Sequence, residues 1–403
     1  MATFIALLIA VSWTVPDPQA ARRDTRPQPS AAAAAVSARL RTLIVREIAA
    51  AGGWIGFDRY MELALYTPGQ GYYAAGSHKL GDAASGGDFI TAPEISPLFA
   101  RTLAAQVAQI FAATAPRIVE FGAGSGALAR DLMDALAAGG TPVVQYSIVE
   151  LAADLRERQQ HVLAGRPVQW LSAPPHQFVG VLLANEVLDV MPVQLFVKRA
   201  DSVFERGVAT NGDALVFADR PSQPALREEV ARIEQNAGAL PEHYGSEVGF
   251  IARAWLRSCA DWLRRGALLA IDYGFPQREY YHPQRLMGTL MCHYRHQAHA
   301  DPLWFPGLND ITAHVDFSAA ATAAHEAGLD VLGYTSQAHF LLNCGLLREA
   351  QNDAPIEPVA AANAIRRLIS ESEMGELFKV LAVGRGLDVP LVGFARGDRR
   401  HTL

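Results

Sequence analysis

The stretch "VEFGAGSGALARDL", residues 119–132, constrains the fold more than any other part of the chain. An apolar run ends in three glycines within five positions and passes directly into a helical pattern. A loop without Cβ atoms between a strand and a helix lets a ligand approach the helix N-terminus closely. Two ligand classes use such loops. Gly122, Gly124 and Ala127 meet the dinucleotide spacing G-x-G-x-x-G/A loosely. Glu120, Gly122, Gly124 and Gly126 fully meet the S-adenosylmethionine spacing, an acid two places before G-x-G-x-G. A carboxylate repels a pyrophosphate and attracts an ammonium or a sulfonium, so Glu120 favours the methyl donor. The plain alternative is a tight strand-to-helix turn that holds nothing.

The flanking pattern predicts an α/β fold. Strands at 117–121, 143–149, 168–171 and 179–184 alternate with helices at 127–138 and 152–164, a rhythm that builds a parallel sheet covered on both faces. Before it lie a helix from Leu40 through Ile48 stopped by Gly52 and Gly53, a second short helix in "GFDRYMELALY", a Gly- and Tyr-rich loop over 66–87, and the amphipathic "ISPLFARTLAAQVAQIFAA". Residues 193–218 carry β-rich runs around "NGD" and predict inserted antiparallel strands. A helix over 248–265 leads into "GALLAIDYG", a buried strand with polar residues at its C-terminal end. Residues 276–315 form a His- and Pro-rich excursion. The tail predicts a helix at 318–327, a strand in "DVLGYTSQAHFL", a helix at 363–370 and a last strand in "LFKVLAVGRG".

Composition narrows the function. The 403-residue chain carries a net charge of −6, which gives no electrostatic reason to expect nucleic acid as a partner. Its three cysteines, Cys259, Cys292 and Cys344, are scattered, so neither a disulfide framework nor a zinc ribbon is expected. A reducing, cytoplasmic setting fits them. "ATFIALLIAVSWTV" near the N-terminus is too short to span a bilayer and lacks a basic n-region, so residues 1–36 are expected to be an extension outside the fold, and no membrane span is expected.

Topology brings more polar residues to the glycine loop. Glu150 ends the strand "YSIVE", where a carboxylate can accept from both ribose hydroxyls of either nucleotide class. The fourth strand ends in "LLANEVLDVMPV", which places Asn185, Glu186 and Asp189 at the same rim. Two carboxylates can clamp a guanidinium and aim its nitrogen at a methyl group while Asn185 orients it; they can equally cap a helix starting there. No N-P-P-Y or D-P-P-Y run occurs, which disfavours adenine or glutamine amides as acceptors. His293, His296, His299 and His314 invite a metal reading, but no H-E-x-x-H pattern supports it and none is expected. His314 or Tyr294 is a candidate for proton removal.

Several longer stretches carry a resemblance: "GGDFITAPEISPLF", "VEFGAGSGALARDL", "YSIVELAADLRERQ", "ANEVLDVMPVQLF", "IDYGF", "GTLMCHYRHQAHADPLWFPGLNDITAHVDFSA" and "MGELFKVLAVGRG". In these the chain resembles the MidA-like S-adenosylmethionine-dependent methyltransferases, whose mitochondrial members are protein arginine methyltransferases that support respiratory complex I assembly. Ala123 departs from the proline the family often has there. The resemblance implies a Rossmann-like class I methyltransferase core with an N-terminal helical cap and an inserted α+β substrate region. It divides the chain into an extension (1–36), a cap (37–115), core segments (116–192, 248–275 and 316–403), a β-rich insertion (193–247) and a substrate-facing excursion (276–315). It adds Asp88, Thr91, Pro93 and Glu94 to the donor pocket, and implies a protein substrate, with a respiratory-complex subunit among the candidates and a homodimer among the open oligomeric states. A small-molecule methyltransferase and a non-catalytic assembly factor are the competing functions.

Overall fold

A computed structural model describes residues 26–75, 91–351 and 358–403. Seven strands make the central sheet: β1 (Arg117–Phe121), β2 (Gln145–Val149), β3 (Val168–Leu171), β4 (Phe178–Asn185), β5 (Leu263–Phe275), β6 (Asp330–Ser336) and β7 (Phe378–Arg385). Their order is β6-β7-β5-β4-β1-β2-β3, and β7 alone runs antiparallel to its neighbours. The short strand Val315–Asp316 adds to the end of β5. This is a Rossmann-like class I methyltransferase core, with the chain order reversing between β1 and β4. A crevice opens at such a switch point beyond the C-terminal strand ends.

The strands form because their residues are apolar on both faces. Ile118, Val119, Val181, Leu182, Leu268 and Leu269 are all buried, as a parallel sheet sandwiched by helices requires. One face packs against helices Leu98–Ala113 and Ala127–Ala138, the other against Phe250–Trp262 and Phe317–Glu326. The helix Leu98–Ala113 therefore belongs to the core layer, although the sequence division put it in the cap.

A second lobe assembles from three distant segments. A five-stranded sheet holds Ile55–Gly56, Gln194–Arg199, Ser202–Asn211, Ala214–Pro221 and Gly245–Val248. The expected "NGD" hairpin turn is present at its tip, with Gly212 in the left-handed region at φ +58. This sheet shares one apolar core with helices Ala31–Ala50 and Phe57–Tyr66 and with Leu290, Cys292 and Ile311 of the excursion. The first helix begins at Ala31, inside the segment expected to be an extension, because the Ser30 side chain accepts from the Ala33 N–H and caps it. Among the described residues no helix is long and apolar enough to cross a membrane.

Candidate active site

A cleft of about 1900 Å³ lies between the C-terminal rim of the sheet and the second lobe. It is lined by Glu120, Gly122, Gly124, Glu150, Asn185, Glu186, Asp189, His314, Thr91, Pro93 and Glu94, so nearly all the sequence candidates converge on one cavity. Gly126 starts the following helix from the left-handed region (φ +84) just behind them. Asp88 lies outside the described residues.

The glycine loop is built as a cradle. Gly122 and Gly124 have φ of +60 and +52, conformations that L side chains adopt at a cost. The Gln159 amide fixes the loop: its Nε2 donates to the Gly124 carbonyl at 3.0 Å and to Glu150 at 2.9 Å, while its Oε1 accepts from Trp170 Nε1. Glu150 also accepts from the Ala152 N–H at 2.9 Å, which points its carboxylate at the crevice. Gln159 escaped the sequence reading because a glutamine within an ordinary helix carries no spacing signal.

Glu120 ends up buried, with the Tyr146 hydroxyl donating to it at 2.7 Å. Burial lifts its carboxyl to about 7, against the pull of Tyr146. At the tip of β4 the main chain turns, and no helix starts there, so the reading of Glu186 and Asp189 as helix caps is removed. Glu186 sits at φ +53, unusual for a side chain of its size. It accepts from Asn185 Nδ2 at 3.1 Å and from the Ala92 amide at the start of the short helix Ala92–Ile95, which ties Thr91, Pro93 and Glu94 to the same corner. Burial, then the neighbouring Asp189, pushes Glu186 up to about 8; burial likewise lifts Asp189 to about 6, opposed by the Tyr273 hydroxyl that donates to it. The Asp189 Oδ1, Asn185 Oδ1 and Glu94 Oε2 atoms are buried with no partner among the described residues. Buried acceptors left open in this way mark places for donor groups that arrive with a ligand.

The sequence candidates for proton removal fare differently. His314 lines the cleft with its ring edge-on to Tyr273 and Phe275, and burial, then Arg285 and Lys379, lowers it to about 3. A ring so weakly basic is a hydrogen-bonding group at neutral pH and a poor proton acceptor. Tyr294 is buried under Trp304, away from the cleft lining. His299 pairs with Asn309 at 3.0 Å, and among the described residues no group of three His, Cys, Asp or Glu could hold a metal.

Asp272 and Tyr273 were legible only as polar residues closing the β5 run. In the fold they stand beneath Glu186 and Asp189, because β5 pairs with β4 through Ile271 and Asn185.

Fold and cleft together define a class I methyltransferase that uses S-adenosylmethionine. A family model described as "Putative S-adenosyl-L-methionine-dependent methyltransferase" matches residues 100–335, and the chain belongs to that family. It is 52% identical to a COG1565 superfamily member from Burkholderia thailandensis solved with S-adenosyl-homocysteine, with a TM-score of 0.90 over 94% of this chain and all of that one. A native structure from the same organism superimposes with a TM-score of 0.86 at 51% identity, over 94% of this chain and 100% of that chain. Among curated relatives, the mitochondrial protein arginine methyltransferase NDUFAF7 of Mus musculus is 29% identical over 374 residues, 82% of this chain and 81% of that protein. Its Danio rerio counterpart is 28% identical over 379 residues, 83% and 84% of the two chains.

Proposed function

We propose that the protein transfers a methyl group from S-adenosylmethionine to an arginine side chain of a protein substrate. The observation that carries this reading is the pair Glu186 and Asp189: two buried carboxylates on which no cationic side chain among the described residues acts. Carboxylates held far above their ordinary range are groups waiting for a positive charge, and a guanidinium meets two of them with a planar fork of N–H donors. The arginine methyltransferase relatives support the same acceptor.

The residues divide the work between two ligands. The left-handed glycine loop gives the donor backbone access, Glu120 faces its ammonium, and Glu150 accepts from the ribose hydroxyls. Thr91, Pro93 and Glu94 close the same pocket from the core side, where Ala92 and Ile95 pack against the helices Leu98–Ala113 and Ala127–Ala138. Bound there, the donor supplies an electrophilic methyl group on a positive sulfur. Glu186 and Asp189 clamp the guanidinium, Asn185 and the His314 ring orient it by hydrogen bonds, and the carboxylate pair takes up the proton that the nitrogen sheds on methylation. The surrounding apolar walls exclude water and strengthen these contacts.

In this reading the second lobe, residues 37–75 with the insertion 193–247 and the excursion 276–315, faces the protein substrate, and a respiratory-complex subunit is the partner the family resemblance suggests. The three cysteines are buried and unpaired, which supports a reducing compartment such as the cytoplasm; the NDUFAF7 relatives are named mitochondrial. The test is incubation of a lysate with methyl-labelled donor followed by peptide mapping. Label on arginine side chains is the expected result; label confined to the low-mass fraction sinks the proposal.

A further inference from the structure

β5 brings a third carboxylate to the cluster, and its contacts differ in kind from those of the other two. Asp272 is fully buried and does not line the cleft. Its Oδ2 accepts from three consecutive backbone amides, Val187 at 3.2 Å, Leu188 at 2.9 Å and Asp189 at 3.3 Å, and its Oδ1 accepts from the Tyr273 N–H at 2.9 Å. Every one of these partners is a donor, so a proton on either oxygen would find no acceptor. Convergent amides of this kind form an anion nest. The turn they belong to starts at Glu186, whose left-handed backbone is anchored by its own N–H donating to the Ile271 carbonyl at 2.9 Å. One residue beyond Asp272, the Tyr273 hydroxyl donates to the Asp189 side chain. β5 therefore grips the turn at each of its four residues.

We infer that Asp272 is a positioning residue whose carboxylate, cradled by the amides of Val187, Leu188 and Asp189, holds the strained turn so that Glu186 and Asp189 present their side chains to the cleft. This rests on the reading that those two groups receive the acceptor. Among the described residues, the charged and titratable groups facing the turn are Glu94 from the helix Ala92–Ile95, Tyr273 and Asp272 from β5, Tyr66 and Tyr73 from the second lobe, with the Tyr66 hydroxyl donating to the Val190 carbonyl at 2.9 Å, and Asp310 from the excursion strand; Arg285 and Lys379 act on His314. Burial, then Asp189 and Glu186, push the Asp272 carboxyl well above its ordinary range, and the Leu188 and Asp189 amides oppose that shift by donating to its carboxylate.

Asp272→Asn keeps the size of the side chain, removes its charge and sets an amide N–H₂ against a donor. Hydrogen exchange at the amides of 187–189 is expected to accelerate by at least about tenfold, while affinity for S-adenosylhomocysteine stays within about threefold of the parent. With a protein acceptor, kcat is expected to fall by about two orders of magnitude while donor affinity is kept, a split that a merely destabilised fold would not give. Unchanged exchange, or a kcat that stays at the parent value, overturns the inference. Exchange and donor affinity need no acceptor, so a failure of arginine as acceptor leaves them readable and counts against the function proposal alone. Should the variant not fold, the parent protein suffices: its 187–189 amides are expected to exchange at least about tenfold more slowly than those of the exposed hairpin turn at Gly212, and equal rates overturn the inference.

Discussion

At the scale of single residues, the cleft depends on conformations and charges that have little tolerance for substitution. Gly124 sits at φ +52 in the floor of the donor pocket. A valine there meets backbone strain of about 1–3 kcal/mol and fills space the ligand occupies. Gly124→Val is expected to weaken S-adenosylhomocysteine binding by at least about a hundredfold in a folded protein, read by calorimetry. Glu186→Gln should behave differently: donor affinity stays the same, and kcat falls by about a hundredfold or more because an amide neither balances a guanidinium nor takes its proton. A labelled-transfer assay run beside the calorimetry separates the two outcomes. Of these residues, Glu120, Glu150 and Glu186 could be read from the sequence because each ends a strand or opens a loop, where topology forces convergence. Asp272 could not be assigned a task. Its partners are backbone amides of another segment, which leave no trace in residue identity.

At the scale of elements, apolar runs told the strands from the helices wherever one period ran long enough. The helix Ala127–Ala138 and the strand Val168–Leu171 match their expected bounds. "DVLGYTSQAHFL" does not stay a strand: Ser336 accepts from the His339 N–H and caps a helix over Gln337–Asn343. A short apolar run of mixed pattern carries both readings, and the cap decides. The inserted sheet likewise extends past 218, since Gly245–Val248 pairs with Gln194–Arg199 across an intervening helix, Pro224–Ala237. Close strand approach at the far end of the core sheet supplies a test. Gly266 lies at φ +134, and a Cβ there would stand 1.8 Å from the Gly180 carbonyl oxygen. No flexible side chain can yield, so the β4–β5 pair itself must part. Gly266→Ala is expected to lower stability by about 3 kcal/mol or more, visible as a reduced urea midpoint with an unchanged slope.

At the scale of the whole molecule, sequence showed the sheet but concealed the second lobe as a unit. Its core joins Leu40, Phe57, Leu195 and Ile311, residues from segments far apart in the sequence. Nonlocal packing of that sort has no periodic signature. The cleft between the lobes also couples ligand binding to pH. Glu120 and Glu186, at about 7 and 8 in the folded protein, bind protons more tightly there than in the unfolded chain. The stability of the ligand-free protein must then decline as pH rises toward their folded values. His314, at about 3, works oppositely but only up to its ordinary value near 6.5. Between pH 6.5 and 8 the carboxylates dominate, and stability is expected to fall by roughly 2 kcal/mol. Melting curves at the two pH values check this, and the rise in Tm on adding S-adenosylhomocysteine should be larger at pH 8.

The decisive quantity is the proton traffic that accompanies donor binding. If Glu120 gives up its proton to face an ammonium, calorimetric titration with S-adenosylhomocysteine at pH 7, repeated in buffers of different ionisation enthalpy, shows net proton release, with affinity rising from pH 6 and levelling above pH 8. Proton-neutral binding with an affinity flat across that range would contradict the role assigned to this carboxylate and, with it, the cationic logic of the cleft.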